Sequence, residues 1–474
     1  MAIQKRKSKS SGWRLRAGER RAIVTLGDLF MAVLALIIAI YMWANAEAQP
    51  REFFEFIRER LQNWFFLLPF AWLILLADSY DARITIDKNK TLRAIALATG
   101  IGFVIYMAVY FGSEALLPRL GVAIFLAASA VLTMLWRLLY IRVFTAPRFM
   151  HRALLVGAGE TGQALLEVFE DLWPPPYFLV GLIDDDVSKK GKKIMGYKVM
   201  GGSERLLEVI EDESITDLIV AISGLMMPRT FQTLLDAQER GVTITRMPVA
   251  YEELLSRVPV KHLEADWILR SFVDESRVGT FYSVAKRALD ILGGLVGILI
   301  LLFLGPLISA LILLESGSPV IIEQTRAGKG GAPFKIFKFR TMVKDAEGEG
   351  EVKLTTENDQ RVTPLGRFLR KTHLDEWLQF FNVLQGEMSM VGPRPERPEW
   401  VDHFQEKIPF YRARLLVKPG MAGWAQVHFN YAATVEEMVM KLEYDLYYIK
   451  HRSFWLDILI LIRAMMTVIG LRGR

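Results

Sequence analysis

From Ile23 to Ala44 the chain runs for about one bilayer thickness with Asp28 as its one charge, and this constrains the fold before any motif is considered. A segment of that kind must satisfy its backbone polar groups internally, so it reads as a membrane-spanning helix. A secretory signal peptide also begins with basic residues, but its apolar core is shorter and ends at a small-residue cleavage site. Three further runs follow: Asn63 to Ala77, short and dense in Trp, Phe and Leu; Leu92 to Phe111; and Leu120 to Tyr140, with Arg137 near its far end. The second is short for a span, and a re-entrant segment is its alternative.

Basic residues orient these runs. Lys5, Arg6, Lys7, Lys9, Arg14, Arg16, Arg20 and Arg21 precede the first, Arg83, Lys88 and Lys90 lie between the second and third, and Arg142, Arg148 and Arg152 follow the fourth. With the N-terminus inside, all three clusters fall inside, as the positive-inside bias requires. The surplus of 58 Lys and Arg over 52 Asp and Glu is thereby accounted for by membrane flanks, and no aromatic-basic groove points to nucleic acid. The 474 residues allow roughly three domains. The absence of Cys excludes disulfides, thiolate catalysis and cysteine zinc sites.

From Arg152 the pattern changes to alternating strand and helix. "RALLVGAGETG" gives a strand, a tight turn with Gly157, Gly159 and Gly162, and a helix through Phe169; a second strand then reaches Asp184. This arrangement can set a pyrophosphate over a helix N-terminus and a carboxylate near a ribose. The same glycines also serve plain close packing, so a regulatory, positioning or oligomerising domain is the alternative. Further strands are expected at Asp217 to Ala221 and Val242 to Met247.

Ile291 to Leu314 is long enough to span, yet Lys286 and Arg287 precede it and Arg326, Lys329, Lys335, Lys338 and Arg340 follow it. A straight span would carry the second cluster outward. Pro306 removes a helical hydrogen bond, so the run reads as a re-entrant helix-break-helix whose ends share one face; a kinked fifth span is the alternative. Asp290 marks its entry.

Beyond it, "IIEQTRAGKGGAPFKIFKFRTM" reads as a β-hairpin, followed by a polar excursion from Lys344 to Asp359 and a helix from Pro364. On that helix Arg367, Lys371 and Asp375 fall on one face, with Glu376 adjacent to Asp375. A carboxylate flanked by Arg and Lys is expected to keep a low pKa and to suit a nucleophile or metal ligand. Gly392 to Pro395 form a stiff turn presenting Arg394. "LVKPGMAGWAQV" adds a second rigid loop with Lys418 and Gln426, and with Trp424 placed to stack a base or to lie at the lipid interface. Basic clusters and an acidic pair beside a membrane element suggest a phosphorylated substrate and Mg²⁺ at the bilayer surface, with Lys286, Arg287, Arg340, Arg370, Arg394, Lys418 and Gln426 as substrate-binding candidates.

The stretch from Tyr282 onward resembles the bacterial sugar transferases of polyprenyl-phosphate glycosylphosphotransferase type. The likeness rests on Lys286, Arg287 and Asp290, "FKIFKFRTM", "THLDEW", "VGPRP", "KPGMAGWAQV" and the Tyr444-Asp445 pair. The preceding part looks like the large members of that family. The resemblance implies transfer of a hexose 1-phosphate from a UDP-sugar to undecaprenyl phosphate at the cytosolic leaflet of a bacterial inner membrane, initiating exopolysaccharide, capsule or O-antigen synthesis. It makes Asp375 the nucleophile of a covalent sugar-phospho intermediate and Glu376 its partner in holding Mg²⁺. Three departures stand out: His373 where Ser is common, Leu378 where Pro is common, and Gly305-Pro306 in place of Ser-Pro.

The expected architecture is an α/β membrane protein with three parts. Residues 1–148 form a four-helix transmembrane bundle, 149–265 a small Rossmann-like parallel α/β domain, and 266–474 a mixed α+β catalytic domain with a re-entrant helix at about 288–314. A homodimer is compatible with this plan. A non-enzymatic scaffold for polysaccharide assembly and a nucleotide-sugar-modifying oxidoreductase are the rival functions. The oxidoreductase would need a nicotinamide site and a proton-transfer group that the Gly157 region does not supply.

Overall fold

The computed structural model describes residues 17–47, 62–80, 85, 87–112, 119–144, 150–172, 177–263, 279–343, 359–429 and 434–469. Lys5 to Arg16, Arg83, Arg148 and nearly all of the excursion from Lys344 lie outside them. The chain divides into two compact units, Met1–Leu254 and Leu255–Arg474.

The first unit opens with α1 (Ala17–Glu47), α2 (Leu68–Leu75), α3 (Lys88–Gly112) and α4 (Arg119–Phe144). Stretches of α1, α3 and α4 are long and apolar enough to cross a membrane. The second expected run is different: 5 residues of 3-10 helix lead into the 8 residues of α2, together about 20 Å at helical rise and short of a bilayer core. Pro69, in the first turn of α2, has no N–H to extend the helix backward and marks the change of winding. Expected as four spans, the region therefore shows three long helices and one short one.

The two charges inside the apolar runs find each other. Arg137 of α4 donates to Asp28 of α1 through NH2 at 2.7 Å and Nε at 3.1 Å, with both side chains fully enclosed. Arg137 also donates to the Ser79 hydroxyl at 2.7 Å and lies over the Tyr80 ring at 5.2 Å. Trp72 ties α2 to α4 through a 3.0 Å bond to the Thr133 hydroxyl. Mutual neutralisation removes the cost that either ion alone would impose in an apolar setting.

The rest of this unit is a six-stranded sheet in the order β3-β4-β2-β1-β5-β6. Its strands are β1 (His151–Val156), β2 (Tyr177–Ile183), β3 (Lys193–Ile194), β4 (Tyr197–Gly201), β5 (Asp217–Val220) and β6 (Thr243–Arg246). All pairings are parallel except the short β3–β4 hairpin. Helices α5 (Glu160–Asp171), α6 (Leu206–Asp212), α7 (Pro228–Glu239) and α8 (Met247–Leu255) alternate with the strands. The continuous apolar run Ala153 to Val156 is buried throughout, as a central parallel strand demands.

The second unit begins with α9 (Thr280–Ser316), one helix of 37 residues that passes through Pro306 without interruption, where the sequence suggested a break. Its two halves dock on the same unit. In the first half Asp290 accepts from the Ser389 hydroxyl and the Met390 amide, both at 2.8 Å. Gly293, Gly294 and Gly297 leave a smooth strip on which Met390, Leu384 and Phe380 lie so close that a Cβ would meet each at 3.0 Å or less. In the second half Leu301, Ile308 and Ile312 pack with Phe339, Leu369 and Leu378. Arg340 then caps the end, donating to the Ser316 and Gly317 carbonyls.

After α9 come the hairpin β7 (Ile321–Ala327) and β8 (Pro333–Phe339), α10 (Pro364–Lys371), a 3-10 helix (Leu374–Gln379) and α11 (Phe380–Gln385). β9 (Ser389–Val391) pairs in parallel with β10 (Gly420–Ala422), and α12 (Pro398–Gln405) lies between them in sequence. α13 (Trp424–His428), α14 (Val435–Lys450) and α15 (Phe454–Ile469) complete the unit. The Thr434–Glu437 capping box starts α14.

The buried pair in the first unit gives a direct test. Asp28→Leu or Arg137→Met alone strands an ion and should cost about 3 kcal/mol or more, whereas the double substitution should recover most of that loss. Thermal melting of the purified protein as a double-mutant cycle measures it, and additive single losses would refute the coupling.

Candidate active site

The candidate dyad does not sit on the helix that sequence periodicity suggested. Thr363 caps α10 by accepting from the Gly366 amide at 2.9 Å, and the helix ends at Lys371. His373 then takes a left-handed conformation at φ 57°, which turns the chain into the 3-10 helix carrying Asp375 and Glu376. Arg367 and Lys371 stay exposed on α10, so the one-face arrangement with Asp375 is not formed. Leu374 and Trp377, flanking the dyad, pack into the cluster built on Leu301, Ile308 and Ile312, which ties the dyad to the far half of α9.

The two carboxylates have different surroundings. Glu376 is locked by cations, accepting from Lys338 of β8 at 2.8 Å and from Arg394 through two parallel bonds of 3.0 and 2.5 Å. Burial alone would raise its pKa, but Arg394 and Lys338 outweigh it and hold the carboxyl well below the usual carboxylate range. Asp375 is buried and has no hydrogen-bond partner among the described residues. Burial, followed by the negative charge of Glu376, pushes its pKa up to about 6 against the opposing pull of Lys338, Arg394 and Arg370. This corrects the expectation of a low pKa: the cations spend their hydrogen bonds on Glu376, and Asp375 feels them only through space.

Arg370 donates from Nε to the Thr341 hydroxyl at 2.8 Å, and Arg326 of β7 donates to the Pro395 carbonyl and to Gln324. Among the described residues both guanidinium groups thus bond only neutral partners. Arg326 and Lys338 were not among the sequence candidates. Lys338 had a signal, since it shares a strand face with the buried Ile336 and a lysine on an inward face requires a reason.

Of the other candidates, the structure gathers Arg370 and Arg394 around the dyad and places the rest elsewhere. Lys286 spends its donors on the Val391 carbonyl, Tyr448 and Asp457, each within 3.0 Å. Arg287 caps the C-terminal carbonyls of α11 at Val383 and Leu384. Arg340 spends its NH2 at the end of α9, while its Nε and NH1 are buried without a hydrogen-bond partner among the described residues. Lys418 is exposed near the same end of α11 as Arg287. Gln426 points one amide hydrogen at the Met421 carbonyl and leaves Oε1 buried without a partner. Trp424 is buried, donating to the Ser256 carbonyl and stacking on Tyr447, so it offers its ring to neither a base nor lipid.

Among the described residues no cluster of three or more His, Asp or Glu side chains could hold a metal. Mg²⁺ needs fewer protein groups than that, commonly one or two carboxylates with waters and substrate phosphate oxygens. Asp375 fits such a set with its oxygens unshared, whereas both oxygens of Glu376, the other expected ligand, are taken by Lys338 and Arg394.

In the first unit, Gly157, Gly159, Gly162 and Asp184 lie at the ends of β1 and β2 as expected. Gly157, at φ 103°, and Gly162 allow close packing: a Cβ on the former would meet the Ala221 carbonyl at 2.6 Å, one on the latter the Gly157 carbonyl at 2.2 Å. Asp184 accepts from the Ala158 amide at 2.7 Å, from Lys189 at 3.0 Å and from the Asp186 amide at 2.9 Å. The hydroxyls of Thr161 and Ser223 bond across the crevice between β1 and β5, where an α/β sheet of this kind would take a ligand.

Residues 281–470 match the family model described as bacterial sugar transferase. The chain is also 40% identical over 188 residues to the UDP-glucose:undecaprenyl-phosphate glucose-1-phosphate transferase of Caulobacter vibrioides, covering 39% of this chain and 69% of that protein. The chain belongs to the bacterial sugar transferase family. It is 41% identical over 223 residues to the UDP-N-acetylgalactosamine-undecaprenyl-phosphate N-acetylgalactosaminephosphotransferase of Aeromonas hydrophila, covering 46% of this chain and 50% of that protein. A UDP-glucose:undecaprenyl-phosphate glucose-1-phosphate transferase of Xanthomonas campestris pv. campestris is 32% identical over 289 residues, 58% of this chain and 57% of that protein. The chain thus spans about half the length of these two relatives. A second model, described as CoA-binding domain, matches residues 75–248.

The raised pKa of Asp375 sets a pH dependence for any reaction in which its carboxylate must be ionised. With its pKa raised to about 6, the group is protonated below that value and ionised above it. A reaction of the purified protein that uses the Asp375 carboxylate should fall on acidification with a midpoint near pH 6. A rate unchanged down to pH 4.5 would place the reacting group elsewhere.

Proposed function

We propose that the second unit transfers a hexose 1-phosphate from a UDP-sugar to undecaprenyl phosphate, releasing UMP, with Asp375 as the covalent carrier. The asymmetry of the dyad carries this reading. Glu376 is held by Lys338 and Arg394, while Asp375 is enclosed, unshared and ringed by cations. The names of the Aeromonas, Xanthomonas and Caulobacter relatives support the donor and acceptor classes. They differ in the sugar, so the hexose is not fixed by kinship.

A pyrophosphate resists attack because its negative charge repels nucleophiles, so its site must supply fixed positive charge. Arg370 and Arg326, which among the described residues bond only neutral groups, are placed to do so beside the locked Lys338 and Arg394. In the first step an Asp375 oxygen attacks the phosphorus that bears the sugar. The bond from that phosphorus to the bridging oxygen breaks, its electron pair leaves with UMP, and the sugar phosphate stays on Asp375 as an acyl phosphate. In the second step an oxygen of undecaprenyl phosphate attacks the same phosphorus and the Asp375 carboxylate departs. A carboxylate needs no base to prepare it, and burial sharpens its reactivity by keeping water away. Asp375, with its oxygens unshared, is the residue that would hold Mg²⁺ beside the locked Glu376, and the ion would neutralise further charge there.

The same reading places the unit on the cytosolic leaflet of a bacterial inner membrane. Both halves of α9 dock on one unit while Leu292, Leu295, Leu299, Leu302 and Phe303 face outward, which supports a helix that enters the bilayer without carrying its far end across. There the product would initiate an exopolysaccharide, capsule or O-antigen.

Two measurements test this. Given a UDP-sugar radiolabelled in the sugar and no lipid acceptor, the wild type should acquire protein-bound label and release UMP, and Asp375→Asn should do neither. Label on the Asn variant at the wild-type level, or UMP release that requires both substrates, would point to direct attack by the lipid phosphate. Lys329→Cys, at the exposed hairpin turn in a chain without Cys, should resist a membrane-impermeant maleimide in intact cells. Ready labelling would make α9 a true span.

A further inference from the structure

The turn that aims Arg394 cannot hold itself. Pro393 and Pro395 have no N–H, so the turn lacks the donors that would tie it internally. Each of its four consecutive carbonyls receives a donor from a different place instead. Pro393 accepts from the Gly420 amide at 2.9 Å, Arg394 from Arg414 at 3.0 Å, Pro395 from Arg326 at 3.3 Å and Glu396 from the Ala327 amide at 2.8 Å. The donor to Arg394 itself is a buried cation. Arg414 NH2 serves both that carbonyl and the Asp445 carboxylate of α14, the latter at 2.8 Å, and its NH1 donates to the Tyr411 hydroxyl at 2.8 Å. The pair is closed to solvent, with side-chain exposures of 3% and 1%. Lys441 completes the mount by pairing with Glu396 at 2.6 Å.

We propose that Arg414, seated by Asp445, is a positioning residue for the transfer: it fixes the backbone of Arg394 so that the Arg394 guanidinium reaches Glu376 in register. The inference rests on the reaction proposed above. A buried ion pair is a poor device for stability, since apolar residues of similar volume usually serve as well or better. Its geometry supplies what they lack, a planar fork that grips a carboxylate and a carbonyl at once. The pair thus joins α14 to the dyad through one side chain, and the Tyr444-Asp445 pair of the sequence acquires a role remote from the reacting atoms.

The test compares variants by their rate of protein labelling from a sugar-labelled UDP-sugar, per folded molecule. Arg414→Met with Asp445→Leu removes both charges and keeps the volume, so melting should stay near the wild type. The labelling rate should fall about 100-fold with the KM for the donor within about threefold of wild type, because misplacement of a group in the site acts on the transition state. In an Arg394→Gln background the same pair of changes should cost less than about threefold further, since nothing remains to be positioned. Arg414→Lys, which keeps the charge but not the fork, should lose rate in the same direction and decides the matter if the double variant does not fold. Rates within about threefold of wild type in the folded variants, or an undiminished loss in the Arg394→Gln background, would overturn the assignment. A wild type that forms no protein-bound label would instead sink the reaction itself, whatever the variants do.

Discussion

Leu301, Ile308 and Ile312 of α9 meet Phe339, Leu369 and Leu378 in an apolar seam, and the arrangement of the second unit follows from it. Leu374 and Trp377 belong to the same seam, so residues on either side of the dyad are pinned by contacts with the apolar helix. Burying side chains of this size is worth about 1.5–3 kcal/mol each, more than any exposed ion pair in the unit could supply. The polar site is therefore built on an apolar foundation, and its distance from the lipid-facing side of α9 is fixed by packing.

On that foundation the charges divide the labour between two adjacent carboxylates. In a 3-10 helix adjacent residues point about 120° apart, so Asp375 and Glu376 look into different environments. Glu376 meets Lys338 from β8 and Arg394 from the turn after β9, and becomes part of the wall. Asp375 is left without a partner and keeps a raised pKa. Close approach of the backbone holds the wall together: a Cβ on Gly420 would lie 2.0 Å from the Gly392 amide nitrogen. The glycines of the two rigid loops thus serve contact between the loops, where the sequence suggested surfaces for a ligand.

Much of the fold was legible because its signals are local. The parallel sheet appeared in the alternation from Arg152 onward, and the apolar runs announced the long helices. What the sequence hid was non-local. Asp28 and Arg137 read as stray charges at the ends of spans, since nothing in their neighbourhoods shows that they meet across 109 positions. Helical spacing put Arg367, Lys371 and Asp375 on one face, and a single left-handed residue at His373 cancelled it. Lys286 and Arg287 read as substrate cations by charge alone, whereas their partners are carbonyls, a hydroxyl and the Asp457 carboxylate, supplied about 100 or more positions later. Family likeness pointed to Asp375 and Glu376 in the sequence, and only the structure shows which carboxylate the cations have taken.

The glycine strip on α9 has a consequence for biosynthesis. Phe380, Leu384 and Met390, which close on Gly297, Gly294 and Gly293, are all made after the helix itself, as are Phe339, Leu369 and Leu378. When α9 leaves the ribosome, none of its protein neighbours exists, and an apolar segment of that length would have lipid as its only suitable surroundings. Its strip is then a waiting berth: bare of side chains, it can be held by lipid and later exchanged for the ring of Phe380 without any rotamer having to move aside. The order of synthesis makes the membrane the helix's first folding partner and the catalytic unit its second.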